Sequence, residues 1–315
     1  MIEKMDTVKK KTARTMYYGK GDVFVYRTYA APLQAEPIPE SRFTGRSNTI
    51  FAMDAQVSLE GEAFLPSFTD GDNSMVVATD SMKNFLLHYA GEYEGSTMEG
   101  YFYYTACRFL EKYDHIEAVN FTGTQLPFLE AETAGGRSAV VFGEQTLNRP
   151  AADVRVVRGE EGPVLETMRG GVTDLHLIKV EGSSFAGFVR DEFTTLPETT
   201  DRPLFIYLNI HWTYADPETA VTEYVPAEQV QHIAQTIFDS EHSPSIQKLI
   251  YDIGVRTLER FPQLEEVSFE SNNRTWETIR ETTAGGGKGQ VFTEPRPPYG
   301  FQGFAVHRED LPHEG

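Results

Sequence analysis

The chain has one cysteine, Cys107, in 315 residues. A lone thiol excludes an intrachain disulfide framework and a Cys-rich zinc or iron–sulfur site. It also points to a reducing, cytoplasmic setting. Long apolar runs are missing too: the best, such as Leu204–Leu208, have the length of a strand and cannot span a bilayer. Positive charge is scarce. Lys+Arg number 28 against 47 Asp+Glu, a net charge of −19. Such a surface repels nucleic acid and anionic membranes at long range, yet a small anion can still bind in a locally positive pocket. No HExxH, CxxC, GxSxG or Walker lysine motif is present. The eight histidines show no ligand spacing, so no metal site is expected. No apolar stretch follows Lys9, Lys10, Lys11 and Arg14, so residues 1–13 read as an exposed tail and not as a secretory signal. The C-terminal Leu311-Pro312-His313-Glu314-Gly315 lacks a peroxisomal tripeptide, in keeping with a bacterial-type cytoplasmic protein.

What is present is a globular composition: 40% apolar, 12% aromatic and 24% charged residues. The length suits one large or two medium domains. Period-two alternation predicts strands at 17–31, 48–62, 115–121 and 137–143, with low-order sequence near 149–152. A helix opens near Thr79 or Asp80, either of which could cap it, and a second helix covers 95–113. Strands are then expected at 153–158, 164–169, 172–182, 185–190, 203–211 and 264–270. Helices are expected at 226–240 and 244–261, with a Gly-rich hairpin near 285–291. Within it, Gly285-Gly286-Gly287-Lys288-Gly289 imitates a phosphate loop only superficially, because Gly289 replaces the hydroxyl residue that would hold magnesium.

Residues 108–121 (RFLEKYDHIEAVNF) and 256–269 (RTLERFPQLEEVSF) match in letters, an offset of 148 from Arg108 to Arg256. A repeat at nearly half the chain length means two tandem copies of one unit, divided at 1–150 and 151–315. Helix pairs between antiparallel strands give an α+β class, with helices on one sheet face. Each unit leaves sheet edges to be covered, so an oligomer is expected.

Three stretches are over-determined for packing. Gly19 and Gly21 flank Lys20 inside a strand, which implies a bulge or a close backbone approach. Val77 to Asn84 (VATDSMKN) opens a helix whose free N–H groups could face an anion. Ser184 to Arg202 mixes aromatics, threonines and arginines with little periodicity.

Taken together, these stretches resemble the urate oxidase (uricase) family. The hallmark reads Leu175-His176-Leu177-Ile178-Lys179, Gly182-Ser183-Ser184-Phe185, Phe188, Asp191-Glu192-Phe193-Thr194-Thr195-Leu196 and Asp201-Arg202. Around it stand YGK at 18–20, VATDSMKN at 77–84, Ser245-Ile246-Gln247 and Asn272-Asn273. The resemblance implies tandem tunnelling-fold (T-fold) domains in a barrel-forming homotetramer with sites between subunits. It implies oxidation of urate by O2 and water to 5-hydroxyisourate and hydrogen peroxide, without metal or organic cofactor. By motif, Arg202 and Gln247 would hold the purine edge, Phe185 would stack under the ring, Ile246 would supply a backbone contact and Leu196 would line the pocket. Thr79 and Asp80 would come from the neighbouring subunit. Lys20, hydrogen-bonded to Thr79, would relay protons, and Asn273 with Thr79 would hold O2 or water.

These residue types suit a flat anionic heterocycle. A planar Arg fork and an amide match its donors and acceptors in one plane. An aromatic face adds contact at small entropic cost. Desolvation disfavours an ammonium, which fits an amine to accept a proton, and a hydroxyl can pass that proton on. There is one departure: Thr275 stands where many family members have a relay histidine, and a threonine cannot hold a proton near neutrality. Two other readings compete. A cyclohydrolase-like purine or pterin enzyme would need a His/Cys zinc site, which one cysteine argues against. A purine-binding scaffold without turnover is favoured only by Thr275.

Overall fold

Alternating apolar and polar residues build eight strands that join in one antiparallel sheet: β1 (Tyr17–Thr28), β2 (Ile50–Glu60), β3 (Ala118–Gln125), β4 (Arg149–Arg158), β5 (Pro163–Lys179), β6 (Leu204–Tyr214), β7 (Leu264–Thr275) and β8 (Arg296–His307). Spatial order follows chain order from β1 to β8. The computed structural model describes residues 14–311 except Glu241, Gly285 and Gly286. The expected tail over 1–13, the last four residues and the start of the Gly-rich run lie outside the described residues.

One face of the sheet is apolar. Along β6, Leu204, Ile206, Leu208, Ile210, Trp212 and Tyr214 are buried, while Tyr207, Asn209 and His211 face the other way. Four helices cover the apolar face: α1 (Thr79–Glu92), α2 (Met98–Lys112), α3 (Ala227–Ser240) and α4 (Ile246–Arg260). α1 packs on β1, α2 on β3 and β4, α3 on β5, and α4 on β7 and β8. Buried positions recur at helical spacing, as Met98, Tyr101, Phe102, Thr105, Ala106 and Phe109 do on α2. The fold is therefore α+β.

The 148-residue repeat is also a repeat of structure. Thr79 to Ala227 and Met98 to Ile246 are each 148 apart, and the paired helices have equal lengths of 14 and 15 residues. Even the caps correspond. Thr97 accepts a hydrogen bond from the Gly100 N–H, and Ser245 accepts one from the Lys248 N–H, both at 3.2 Å.

Several boundaries differ from expectation. The two strands expected at 164–169 and 172–182 are one strand, β5. Gly170 and Gly171 lie mid-strand because a Cβ there would sit 2.5 Å from Trp212 and 2.6 Å from His211 on β6. Residues 149–152 are the start of β4, so a division at 150/151 would cut that strand. Residues 185–190 form a loop, with the Phe185–Thr199 bridge at its start. A hairpin of Phe128–Thr133 with Gly136–Glu144 adds a strand not anticipated. So does β8, whose Pro297, Pro298, Gly300 and Gly303 obscure its pattern. β1 and β8 are the outer strands. They expose Tyr17, Phe24 and Tyr26 at one side, and Tyr299, Phe301 and Phe304 at the other.

Candidate active site

In the second half, a backbone lattice ties three segments together. The Ser184 N–H donates to the Ser243 carbonyl at 3.0 Å, and the Ser243 N–H to the Gly182 carbonyl at 3.1 Å. The Arg202 N–H donates to the Ser183 carbonyl at 2.8 Å, and Phe185 and Thr199 exchange two bonds. Asp201 accepts from the Gly182 N–H at 2.7 Å. Ser245 then caps α4, placing Ile246 and Gln247 in its first turn. Phe185, Arg202, Ile246 and Gln247 are thus gathered at one helix start.

The Arg202 guanidinium lies over the Phe185 ring, 5.6 Å from its centroid. Phe188 stacks on Phe185 at 4.9 Å with the rings 13° apart. Arg202 is half-buried, and its Nε is buried with no hydrogen-bond partner among the described residues. Burial pushes its pKa below the ordinary arginine value. A buried donor left unmade is costly, so this edge of the fork suits an acceptor from a ligand. Asn273 stands on β7 opposite Ile206, on the sheet face that Leu204 and Ile206 share. Gly300 faces it on β8, where a Cβ would come within 2.9 Å of the Asn273 Oδ1. Leu196 sits in the same loop as Phe185 with its side chain exposed, and its carbonyl accepts from Arg190.

The first half holds a second cluster. Lys20 lies opposite Val57, and a bulge separates it from Val23, with Asp22 at φ 52°. A Cβ on Gly19 would lie 1.9 Å from the Val57 carbonyl oxygen, the close approach that the glycine implied. The Tyr18 hydroxyl accepts from the Val77 N–H at 2.8 Å, tying β1 to the approach of α1. Neither Thr79 nor Asp80 caps that helix: the cap is Ala78, without a side-chain bond. Thr79 therefore keeps its hydroxyl free of capping. Asp80 accepts from Lys83 at 2.8 Å and Asn84 at 3.0 Å. Those contacts, Lys83 first, hold its carboxyl below the usual range, with a smaller pull from Lys20. The expected Lys20–Thr79 hydrogen bond is not formed among the described residues.

Among the described residues, no hydrogen bond, ion pair or ring contact joins the Lys20–Thr79–Asp80 cluster to the Arg202–Phe185 cluster. The backbone of Thr275 lies in β7, and its side chain is outside the described residues. Sequence reasoning gave no site role to Phe188, to the Tyr18 staple or to Ser243. The first two stand inside quoted motifs, while Ser243 had only its place before the helix cap as a signal. Among the described residues, no group of three or more His, Cys, Asp or Glu is arranged to hold a metal ion, and no helix is long and apolar enough to cross a membrane.

The uricase family profile matches residues 16–165 and 168–302. The chain is 49% identical over 324 residues to the uric acid degradation bifunctional protein PucL of Bacillus subtilis (strain 168), covering 100% of this chain and 65% of that protein. A similar bifunctional protein from Bacillus sp. (strain TB-90) is covered to 63%, so the chain spans just under two thirds of both. The uricase of Halalkalicoccus jeotgali is 49% identical over 305 residues, with 94% of this chain and 99% of that one covered. A crystal structure of a uricase from Bacillus fastidious superposes with a TM-score of 0.90 at 52% identity, covering 95% of each chain. With the profile matched across most of its length and half its residues shared with these relatives, the chain belongs to the uricase family.

Proposed function

We propose that the protein oxidises urate with O2 and water to 5-hydroxyisourate and hydrogen peroxide, without metal or organic cofactor. The observation that carries this reading is the Arg202 fork lying over Phe185 with a buried, unpartnered Nε, beside the α4 start that presents Gln247. Arg202 and Gln247 bind the purine edge, Phe185 supports the ring, Ile246 gives a backbone contact and Leu196 closes the rim. Asn273 and Thr79 hold O2 or water above the ring. The urate anion supplies two electrons. The hydroxyl of water bonds to C5, and O2 leaves as H2O2 with two protons, one from urate nitrogen and one from water. Lys20 and Thr79 carry those protons.

The separation of the two clusters within one chain supports a site shared between copies, with Lys20, Thr79 and Asp80 given by the neighbour. The exposed aromatic edges of β1 and β8 support closure of the sheet with other copies, as a T-fold barrel in a homotetramer. The two tandem units meet most simply at the turn between β4 and β5, around residues 159–162.

Chelator-treated, colourless protein should bleach urate absorbance and yield one peroxide per urate. Inactivity until an ion or flavin is added would overturn the cofactor-free mechanism, and purine binding without turnover would leave a scaffold. Mixing Thr79→Ala and Arg202→Ala subunits should restore part of the activity that each lacks. Verified exchange with no recovery would rule out a shared site.

A further inference from the structure

The repeat carries the proposed site onto a second place in the same chain. Because Thr97 and Ser245 cap α2 and α4, Glu99 stands where Gln247 stands. Thr79 and Ala227 correspond as the first residues of α1 and α3. Phe121 pairs with Val57, and its counterpart Phe269 pairs with Ile210. Lys20 faces Val57 and Val172 faces Ile210, so Lys20 corresponds to Val172, 152 residues on. The same step takes Leu33 to Phe185, and their partners Arg46 and Thr199 differ by 153, as Val57 and Ile210 do. The relay amine and hydroxyl thus map onto Val172 and Ala227, and the stacking ring onto Leu33. The carboxamide maps onto a carboxyl.

Of these counterparts, Leu33 reaches the junction of the two halves, together with the Thr97 cap that precedes Glu99. A cavity of about 940 Å³ there is lined by Leu33 and Thr97 from the first half and by Tyr224, Pro226 and Gln229 from the second. Beside it, the Arg46 Nη1 binds Gln125 at 2.7 Å and Glu228 at 3.0 Å. The Arg46 Nε and Nη2 and the Glu228 Oε2 are buried without partners among the described residues. Arg46 and Arg202 therefore share one feature, a buried guanidinium edge with an unmade bond. Tyr224 lines that cavity, within reach of the charges of Glu99, Arg46 and Glu228. A planar lactam offers a carbonyl oxygen to such an edge and an adjacent N–H to a carboxyl.

We propose that the junction is a second, catalytically silent site for a planar oxo-heterocycle, kept shut by Tyr224, whose ring stands where the ligand would lie. This rests on the reading that Arg202 and Gln247 bind a purine. Calorimetric titration of the full protein with xanthine tests both. The parent should bind one xanthine per chain and Arg202→Ala none. Tyr224→Ala should bind two, and the Arg202→Ala/Tyr224→Ala double variant one, with no urate consumed. One site in Tyr224→Ala and none in the double variant would overturn the silent site. A parent that binds none, or whose binding survives Arg202→Ala, would overturn the catalytic reading instead. If Tyr224→Ala folds poorly, millimolar 4-methylphenol should refill the vacated space and raise Tm saturably. A folded fraction indifferent to the phenol would also refute the proposal.

Discussion

At the end of α2, Arg158 donates to the carbonyls of Leu110, Tyr113 and Ile116. At the end of α4, Arg308 donates to those of Leu258, Phe261 and Leu264, each 148 residues later. One guanidinium satisfies the same orphan carbonyls in both halves, so helix termination is held fixed between the copies. Where the copies differ is at the opposite helix ends. There the first half has Thr79, Lys20 and a buried Glu99, and the second has Ala227, Val172 and an exposed Gln247. The comparison separates what the scaffold requires from what chemistry requires: the carbonyl clamp and the Thr/Ser caps are kept, and the ionisable groups are not.

The sharpest way to break that comparison is at Lys20. Lys20→Met should lower kcat by about 10²–10⁴-fold, the usual worth of a positioned proton carrier. Xanthine affinity should stay within about threefold, because the amine acts on proton transfer. Equal losses of both would make Lys20 a binding or structural residue.

Next come the two arginines. Arg46→Ala strands Glu228 and should cost about 3–5 kcal/mol in urea unfolding, with xanthine affinity kept. Arg202→Ala should do the reverse, weakening xanthine by at least about 100-fold, below what the calorimetric titration detects, with little change in Tm. If the two variants failed in the same way, the halves would not have divided these roles.

Glu99 sharpens the contrast through pH. Burial first, eased by the Arg46 charge, holds its carboxyl up to about 7 in the fold, against 4.5 in the open chain. The folded state therefore keeps a proton that the unfolded state has lost, and stability falls as pH rises from about 4.5 to about 7. Glu99→Gln, which copies Gln247, should remove that loss and gain roughly 2–3 kcal/mol at pH 8 relative to pH 5. A gain independent of pH would show that Glu99 is ionised in the fold.

The smallest effects belong to the caps. Thr97→Ala and Ser245→Ala should each cost about 1 kcal/mol by urea unfolding. Only the second should also weaken xanthine binding, because it loosens the turn that carries Ile246 and Gln247.

The helices were legible from their apolar stripes, as Met98, Phe102, Ala106, Phe109 and Leu110 form one on α2, whereas the cap expected at Thr79 or Asp80 is not one. Strands were legible only where one face is buried. β5 was split because Gly170 and Gly171 look like punctuation until Trp212 and His211 are seen across from them. β8 was lost among prolines and glycines on a largely exposed edge. Of the residues expected at the site, Arg202 lies over Phe185, and their loop is bonded to the segment that leads into Ile246 and Gln247. Asp80 is held by Lys83 and Asn84, three and four residues on, a pairing that helical spacing allows but that the motif reading of Asp80 as a cap or site residue passed over.

The extra residue between Lys20 and Val23 sets the phase of a whole strand. Tyr18 and Lys20 face Leu59 and Val57, and Val23 and Val25 face Ala55 and Met53, so both pairs point toward the helices although an odd count separates them. Paired in strict alternation at its present length, without the bulge, the strand would have to turn either the amine or the two valines to the opposite side of the sheet. The bulge thus spares the strand a choice between its reactive end and its packed end.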